Sequence, residues 1–357
     1  MERLINEDYF KDLPHSYGGK NLSYKRYNNK SAVDRAFESN DIYSKYKPFR
    51  KLRSYNPTYV HRKRELFQSD ITYFKSPDQL VTDSGGYGYL LTVIDCFTKY
   101  VWVYPLERID ADSITLNLKK LFTNLEELPT NFNSDRGKEF KNRKVEALMR
   151  EHNINFYFST SERKCSIVER FNKTLQQLVY KLLAQKNTNN WVQVLPHAMK
   201  IYLNRKHRTT KFSPVDAEKP ENEEAIQDTF EEKYQKAEAN RKKPKFKVGD
   251  TIRIWVHRDK FIRAYHANYT HEYFTISEVL TNMPQPRYKA KDLLDDPLDF
   301  ILHQNEIVKY TPTGEEMHKM EVLRRRTRNG RRECYVRWLG WPDKFNQWIP
   351  AADVNNI

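Results

Sequence analysis

Between residues 65 and 215 the spacing of apolar positions switches repeatedly between two and about 3.6, the signature of strands interleaved with helices. Residues 66–74 alternate as a strand does. Tyr89-Leu90-Leu91-Thr92-Val93-Ile94 is a continuous apolar run of the kind covered on both faces. The break Asp95-Cys96-Phe97-Thr98-Lys99 leads into residues 100–105, which predicts a hairpin. Gly85-Gly86-Tyr87-Gly88 reads as a turn. Ile114, Leu118, Leu121, Phe122 and Leu125 share one face of a helix that Asp112 or Ser113 can cap. Pro129 ends that region, and residues 131–134 form a short strand stopping at Asp135-Arg136-Gly137. Residues 141–152 are helical, 154–159 a fifth strand, and 166–185 and 191–204 two further helices. The order β-β-β-α-β-α-β-α-α implies a mixed five-stranded α/β sheet, not a doubly wound parallel one.

The flanks differ. Residues 1–64 are polar and Tyr-rich, with a short helix near 31–39, and read as an N-terminal segment plus a basic linker. Residues 216–244 read as a linker turning from acidic to basic. Short strands over 245–312 suggest a small β-barrel, and 315–357 a further compact unit.

Composition narrows the function classes. A chain of 357 residues accommodates two to three domains. Lys and Arg number 62 against 47 Asp and Glu, a net charge of +15. From Tyr43 to Arg64 eight basic residues, among them Arg62, Lys63 and Arg64, stand without an acid, and tyrosines are interleaved with them. Two more basic runs cover 241–247 and 319–337. Three such runs beside separate folded segments suit several arms on one phosphate backbone. No apolar run approaches the ~20 residues of a spanning helix, and the first residues lack a basic-then-apolar leader pattern. Cys96, Cys165 and Cys334 are spaced for neither a disulfide framework nor a zinc site. The expectation is a basic intracellular protein with a polyanionic partner and no membrane association.

Three acids stand at the exits of core elements. Asp70 is mid-strand, on the face opposite Ile71. Asp135 ends the fourth strand, where Gly137 lets the backbone turn away. Glu169 lies in the first turns of the long helix. That helix is expected to pack on Val168, Phe171, Leu175, Leu178 and Leu182, offering Glu169, Asn172, Lys173, Gln176 and Tyr180 outward. Carboxylates from two strands and a helix can hold two Mg²⁺ ~3.5–4 Å apart for phosphodiester chemistry, with Asp70 as the bridge. The plainer readings are a turn residue for Asp135 and a helix-dipole partner for Glu169. Asp95 is best read as a turn cap.

Phe67-Gln68-Ser69-Asp70, the run Tyr89 to Tyr100, Asn133-Ser134-Asp135-Arg136-Gly137-Lys138-Glu139-Phe140 and Ser166-Ile167-Val168-Glu169-Arg170-Phe171-Asn172-Lys173 resemble the retroviral-type integrase and DDE transposase superfamily. Tyr202-Leu203-Asn204, His207 and Pro214 are similar to the segment that closes that family's core. The likeness is nearest to integrases of Maverick/Polinton DNA transposons. It implies a ribonuclease-H-like core over 65–215 followed by an SH3-like barrel. It implies Asp70, Asp135 and Glu169 as catalytic ligands of two Mg²⁺ (or Mn²⁺), with 3′-end processing and strand transfer into target DNA. Asn172, Lys173, Gln176 and the basic Arg62, Lys63 and Arg64 are the implied DNA contacts. The spacing 169 − 135 = 34 is slightly shorter than the commonest retroviral one. No Cys precedes Cys96, so the retroviral zinc module is absent and no zinc is expected.

Glu321-Val322-Leu323, Cys334 to Pro342 and Asn346-Gln347-Trp348-Ile349-Pro350 resemble a chromodomain. Trp338 and Trp341 fall on two positions of its methyl-lysine cage, which works by cation–π attraction; the third falls near Met317 or His318. The plainer reading is that both tryptophans pack a small core. The expectations that follow are a polynucleotidyl transferase acting on double-stranded DNA, a homo-oligomer, a nuclear location, and histone tails or chromatin as a further partner. The alternative is a non-catalytic DNA- or chromatin-binding protein descended from such an enzyme.

Overall fold

The computed structural model describes residues 1–9, 20–50, 56–75, 77–135, 137–158, 165–256, 267–313 and 319–354. They fall into two units, one of Asn56–Arg241 and one of Met1–Tyr55 with Lys242–Ile357.

In the second of these the N-terminal part is more helical than its sequence pattern suggests. It forms α1 (Glu2–Tyr9), α2 (Lys20–Tyr27), α3 (Lys30–Ser39) and α4 (Asp41–Tyr46). Asn29 and Asn40 cap α3 and α4, accepting from the N–H groups of Ala32 and Tyr43. Ile5, Tyr9, Val33, Ala36 and Phe37 close a small core, edge-on aromatic pairs replacing the aliphatic stripe that a longer helix would show. Only the helix near 31–39 is legible in the apolar spacing, because the others are six to eight residues long.

The Asn56–Arg241 unit contains β1 (Leu66–Tyr73), a short α5 (Gln79–Asp83), β2 (Tyr89–Asp95), β3 (Val101–Leu106), α6 (Ala111–Thr123), β4 (Asn131–Ser134), α7 (Arg143–Glu151), β5 (Asn155–Phe158), α8 (Ser166–Lys186), α9 (Trp191–Leu203), α10 (Pro214–Ala217) and α11 (Glu223–Ala239). The strands form one mixed sheet in the order β3-β2-β1-β4-β5. β1 is antiparallel to β2 and parallel to β4, and β2–β3 is the expected hairpin. β2 is covered on both faces, which explains its unbroken apolar run. Leu90 and Ile94 join α8 and α9 in one core layer. Leu91 and Val93 face α6 and α7 in the other.

The stretch read as an acidic linker forms α11 instead. Its two deeply buried residues, Ile226 and Phe230, are one turn apart and pack on Val60, Cys96 and Phe97. Phe230 stacks on Phe97 with ring centres 5.6 Å apart. Two anchors in seventeen residues leave too thin a stripe to stand out among six acids.

The remaining strands belong to the other unit. A five-stranded antiparallel sheet is built from β6 (Thr251–Ile254), β7 (Phe274–Leu280), β8 (Arg287–Lys291), β9 (Leu302–His303) and β10 (Ile307–Lys309). A three-stranded sheet follows: β11 (Met320–Arg328), β12 (Arg331–Trp338) and β13 (Gln347–Pro350), then α12 (Ala351–Val354). Asn329 and Gly330 both take positive φ between β11 and β12, the requirement of a two-residue hairpin turn. Arg253 is fully buried; its guanidinium meets Asp41 at 2.6 Å and the Thr270 carbonyl at 2.9 Å, fixing α4 to the five-stranded sheet.

Candidate active site

The carboxylate corner is built by register. β1 and β4 run parallel with Ser69 opposite Ser134. The next residues are Asp70, still within β1, and Asp135, just past the end of β4, so the two acids follow the last paired step of neighbouring strands. α8 packs on β1 and keeps step with it. Gln68 Oε1 accepts from the N–H groups of Ile167 (3.0 Å) and Val168 (3.3 Å), capping α8 with a strand side chain. Two residues along β1, Asp70 Oδ2 accepts from Asn172 Nδ2 at 2.9 Å. Farther on, Gln176 Nε2 donates to the Tyr73 carbonyl at 3.3 Å. From Gln68 to Asp70 the strand advances ~6.6 Å while Val168 to Asn172 advances ~6 Å along the helix, so these two contacts keep step.

Asp70 is half-buried, and burial pushes its pKa up from 3.8 to about 6, with the charges of Asp135 and Glu169 pressing the same way. Asp135 is half-buried and accepts from the Gly137 N–H at 3.1 Å; Glu169 is exposed. Among the described residues no three His, Cys, Asp or Glu side chains converge tightly enough to form a metal-binding group as they stand. The donor set is nonetheless of the right kind. It consists of carboxylate oxygens, one of them carrying an excess of negative neighbours that a hard cation would relieve.

Asn172 departs from its expected place. It is buried, with 6% exposed, and turns inward to Asp70 instead of outward with Lys173, which is exposed. Val179 takes a fully buried place on the apolar stripe, and Leu178 only borders it. Gln68, which the sequence reading passes over, is the residue that seats α8; a polar side chain at an inward strand position was the available signal.

The basic trio separates. Arg62 is exposed and pairs with Glu127 at 2.6 Å. Lys63 is half-buried. Arg64 is an internal group: its guanidinium lies 3.0 Å from Asp95 and 2.5 Å from Glu218, with 13% of its side chain exposed. Asp95 is fully buried and its Oδ1 accepts from the Phe97 N–H at 2.7 Å, the turn cap expected of it. In the other unit Trp341 stands edge-on to Tyr273 (5.7 Å) and Phe345 (5.4 Å). Trp338 is half-buried on the last residue of β12. The third cage position, Met317 or His318, and Arg136 lie outside the described residues.

The sheet is thus mixed and ordered 3-2-1-4-5, with the candidate carboxylates on its first strand, just past its fourth and on the following long helix. Residues 60–164 match the family described as Integrase core domain. A transposon-derived protein of Caenorhabditis elegans is 29% identical over 199 residues, which cover 56% of this chain and 66% of that protein. The Gag-Pol polyprotein of avian reticuloendotheliosis virus is 30% identical over 123 residues, 34% of this chain and 11% of the polyprotein. The chain thus spans about two thirds of the worm protein and about a tenth of the viral one. In fold it is similar to a chain of the simian T-cell lymphotropic virus intasome in complex with PP2A regulatory subunit B56 gamma. The TM-score is 0.56 at 14% identity, covering 83% of this chain and 96% of that one.

Proposed function

We propose that the chain is a polynucleotidyl transferase that processes the 3′ ends of a mobile element's DNA and joins them to target DNA. The single observation that carries this reading is the register that brings Asp70 and Asp135 to the same end of neighbouring strands, with the helix of Glu169 seated against β1 by Gln68 and Asn172. Asp70, Asp135 and Glu169 would hold two Mg²⁺ or Mn²⁺ ions. Such ions supply charge stabilisation for the attacking and leaving oxygens of an in-line displacement. Asn172 holds the Asp70 carboxylate at a fixed angle, and Gln68 fixes the turn of α8 that carries Glu169. Lys173, exposed one residue on, is available to a DNA phosphate.

The finer attributions belong to the same proposal. These are descent from a Maverick/Polinton-type element, action as a homo-oligomer in the nucleus, and a chromodomain-like role for Met320–Val354 toward histone tails or chromatin. The transposon-derived worm relative and the viral polyproteins support the mobile-element origin. The test is joining of a labelled 3′-hydroxyl DNA end to target duplex with Mn²⁺, by wild type and Asp135→Asn. Joining by wild type and at least a hundredfold less by the variant supports the reading. Unchanged joining by Asp135→Asn removes that residue from catalysis, and no joining by wild type favours a DNA-binding protein without chemistry.

A further inference from the structure

The other flank of α8 opens onto a cavity of about 650 Å³ that the carboxylate corner does not use. Lys99, Arg170, Arg205, Lys206, Arg208 and Lys233 line it, with His207, and among the described residues no Asp or Glu does. Among the described residues none of these six cations is in an ion pair. Elsewhere in the same unit Arg62, Arg64, Lys144 and Lys236 all have acidic partners. Neutral donors stand between the charges: Ser166, Thr174 and Gln177 fall on the stripe of Arg170, at i, i+8 and i+11 from Ser166. Two of the basic groups are held in place. Lys99 is 4% exposed, its ammonium bonded to the Cys96 carbonyl and 5.3 Å from the Phe230 ring centre. Lys233 Nζ donates to the Thr209 carbonyl at 3.4 Å.

We infer that this cavity is an anion site built for closely spaced phosphate groups, those of a single nucleic-acid strand. A concave wall of uncompensated cations focuses positive potential into the space it encloses. The cations already press on one another: burial first, then Lys99, Lys233 and Arg170, push the His207 pKa down to about 4. An entering dianion relieves that repulsion. The volume is that of a small-ligand site, so a duplex does not fit and a strand end or one or two nucleotides does. Arg170 follows Glu169 on α8 and points about 100° around the helix axis from it, so the same helix carries a wall of the cavity and one acid of the carboxylate corner. The strand as source of the phosphates rests on the strand-transfer reading; the anion class does not.

The test uses the full chain in EDTA, where binding is read without chemistry. A fluorescent 5′-phosphorylated single-stranded oligonucleotide is titrated by anisotropy, with inorganic tripolyphosphate as competitor. Arg170→Ala/Lys233→Ala should weaken oligonucleotide binding about 25-fold at 0.1 M salt, since two lost contacts at a slope of ~0.7 each remove about 1.4 from the log–log salt slope. Lys119→Ala, at an exposed position of α6 away from the cavity, should leave both oligonucleotide binding and tripolyphosphate competition unchanged. Wild-type binding of both ligands by the double variant, with an unchanged circular dichroism melt, overturns the site. Loss of tripolyphosphate alone overturns the strand as its occupant. If wild type joins no DNA ends yet the double variant loses the strand, the proposed activity fails and the anion site stands.

Discussion

Replacing Asp70 by Asn should stabilise the core at neutral pH. The Asp70 carboxyl has its pKa raised from 3.8 to about 6 by burial and by the charges of Asp135 and Glu169. Folding therefore binds the Asp70 proton more tightly than the unfolded chain does. The native state is favoured below about pH 4 and loses that advantage as pH rises through 6. At 1.36 kcal/mol for each unit, the ionised group costs about 3 kcal/mol at pH 7. Asn at this position removes the charge while its carbonyl oxygen can keep the 2.9 Å bond from Asn172. The assay is native-state amide exchange of β1 and β2 by mass spectrometry in EDTA, corrected for intrinsic rates. About two decades of added protection are expected at pH 7, and none at pH 4. Equal protection of the two proteins at pH 7, or a gain that persists at pH 4, would refute the electrostatic argument.

Other perturbations separate structural groups from functional ones. Arg64→Met removes the cation beside fully buried Asp95 and should destabilise the core by about 3 kcal/mol, read as a lower urea midpoint; backbone donors from Phe97 and Arg64 itself keep the loss at the low end for a broken buried pair. Arg62→Met, on an exposed pair, should shift the same midpoint by under about 1 kcal/mol. Phe230→Ala should cost about 3–4 kcal/mol, because the ring is buried against Phe97; a neutral result would return α11 to the status of a linker. Asn172→Leu withdraws a donor that favours the Asp70 carboxylate, so the acidic limb of the joining-rate profile should move up by about one pH unit, while an unmoved limb would deny the contact any role.

Much of the core is legible in sequence because its strands and helices are long enough to show their periods. β2 announces double-sided burial by six consecutive core residues, and α8 and α9 end within a residue of where the apolar spacing stops. The three acids are legible as candidates by their places within a core strand, just past another and in the first turn of the long helix. What the pattern does not carry is the contact of one side chain with another. Asn172 lies on the polar stripe of α8, and only the crossing of β1 beneath it turns that amide inward. Arg64 belongs to a basic run, and only the fold brings Asp95 and Glu218 to it. The helix α11 escapes notice because two buried anchors suffice when an existing hydrophobic surface receives them.

The claim on which the rest depends is that three acids from distant parts of the chain act as one cation-holding set. Mn²⁺ titration followed by electron paramagnetic resonance tests it on wild type and on Asp70→Asn, Asp135→Asn and Glu169→Gln. Two ions bound by wild type, with at least one lost in each variant, is the expected result. Three variants that bind Mn²⁺ as wild type does would contradict it.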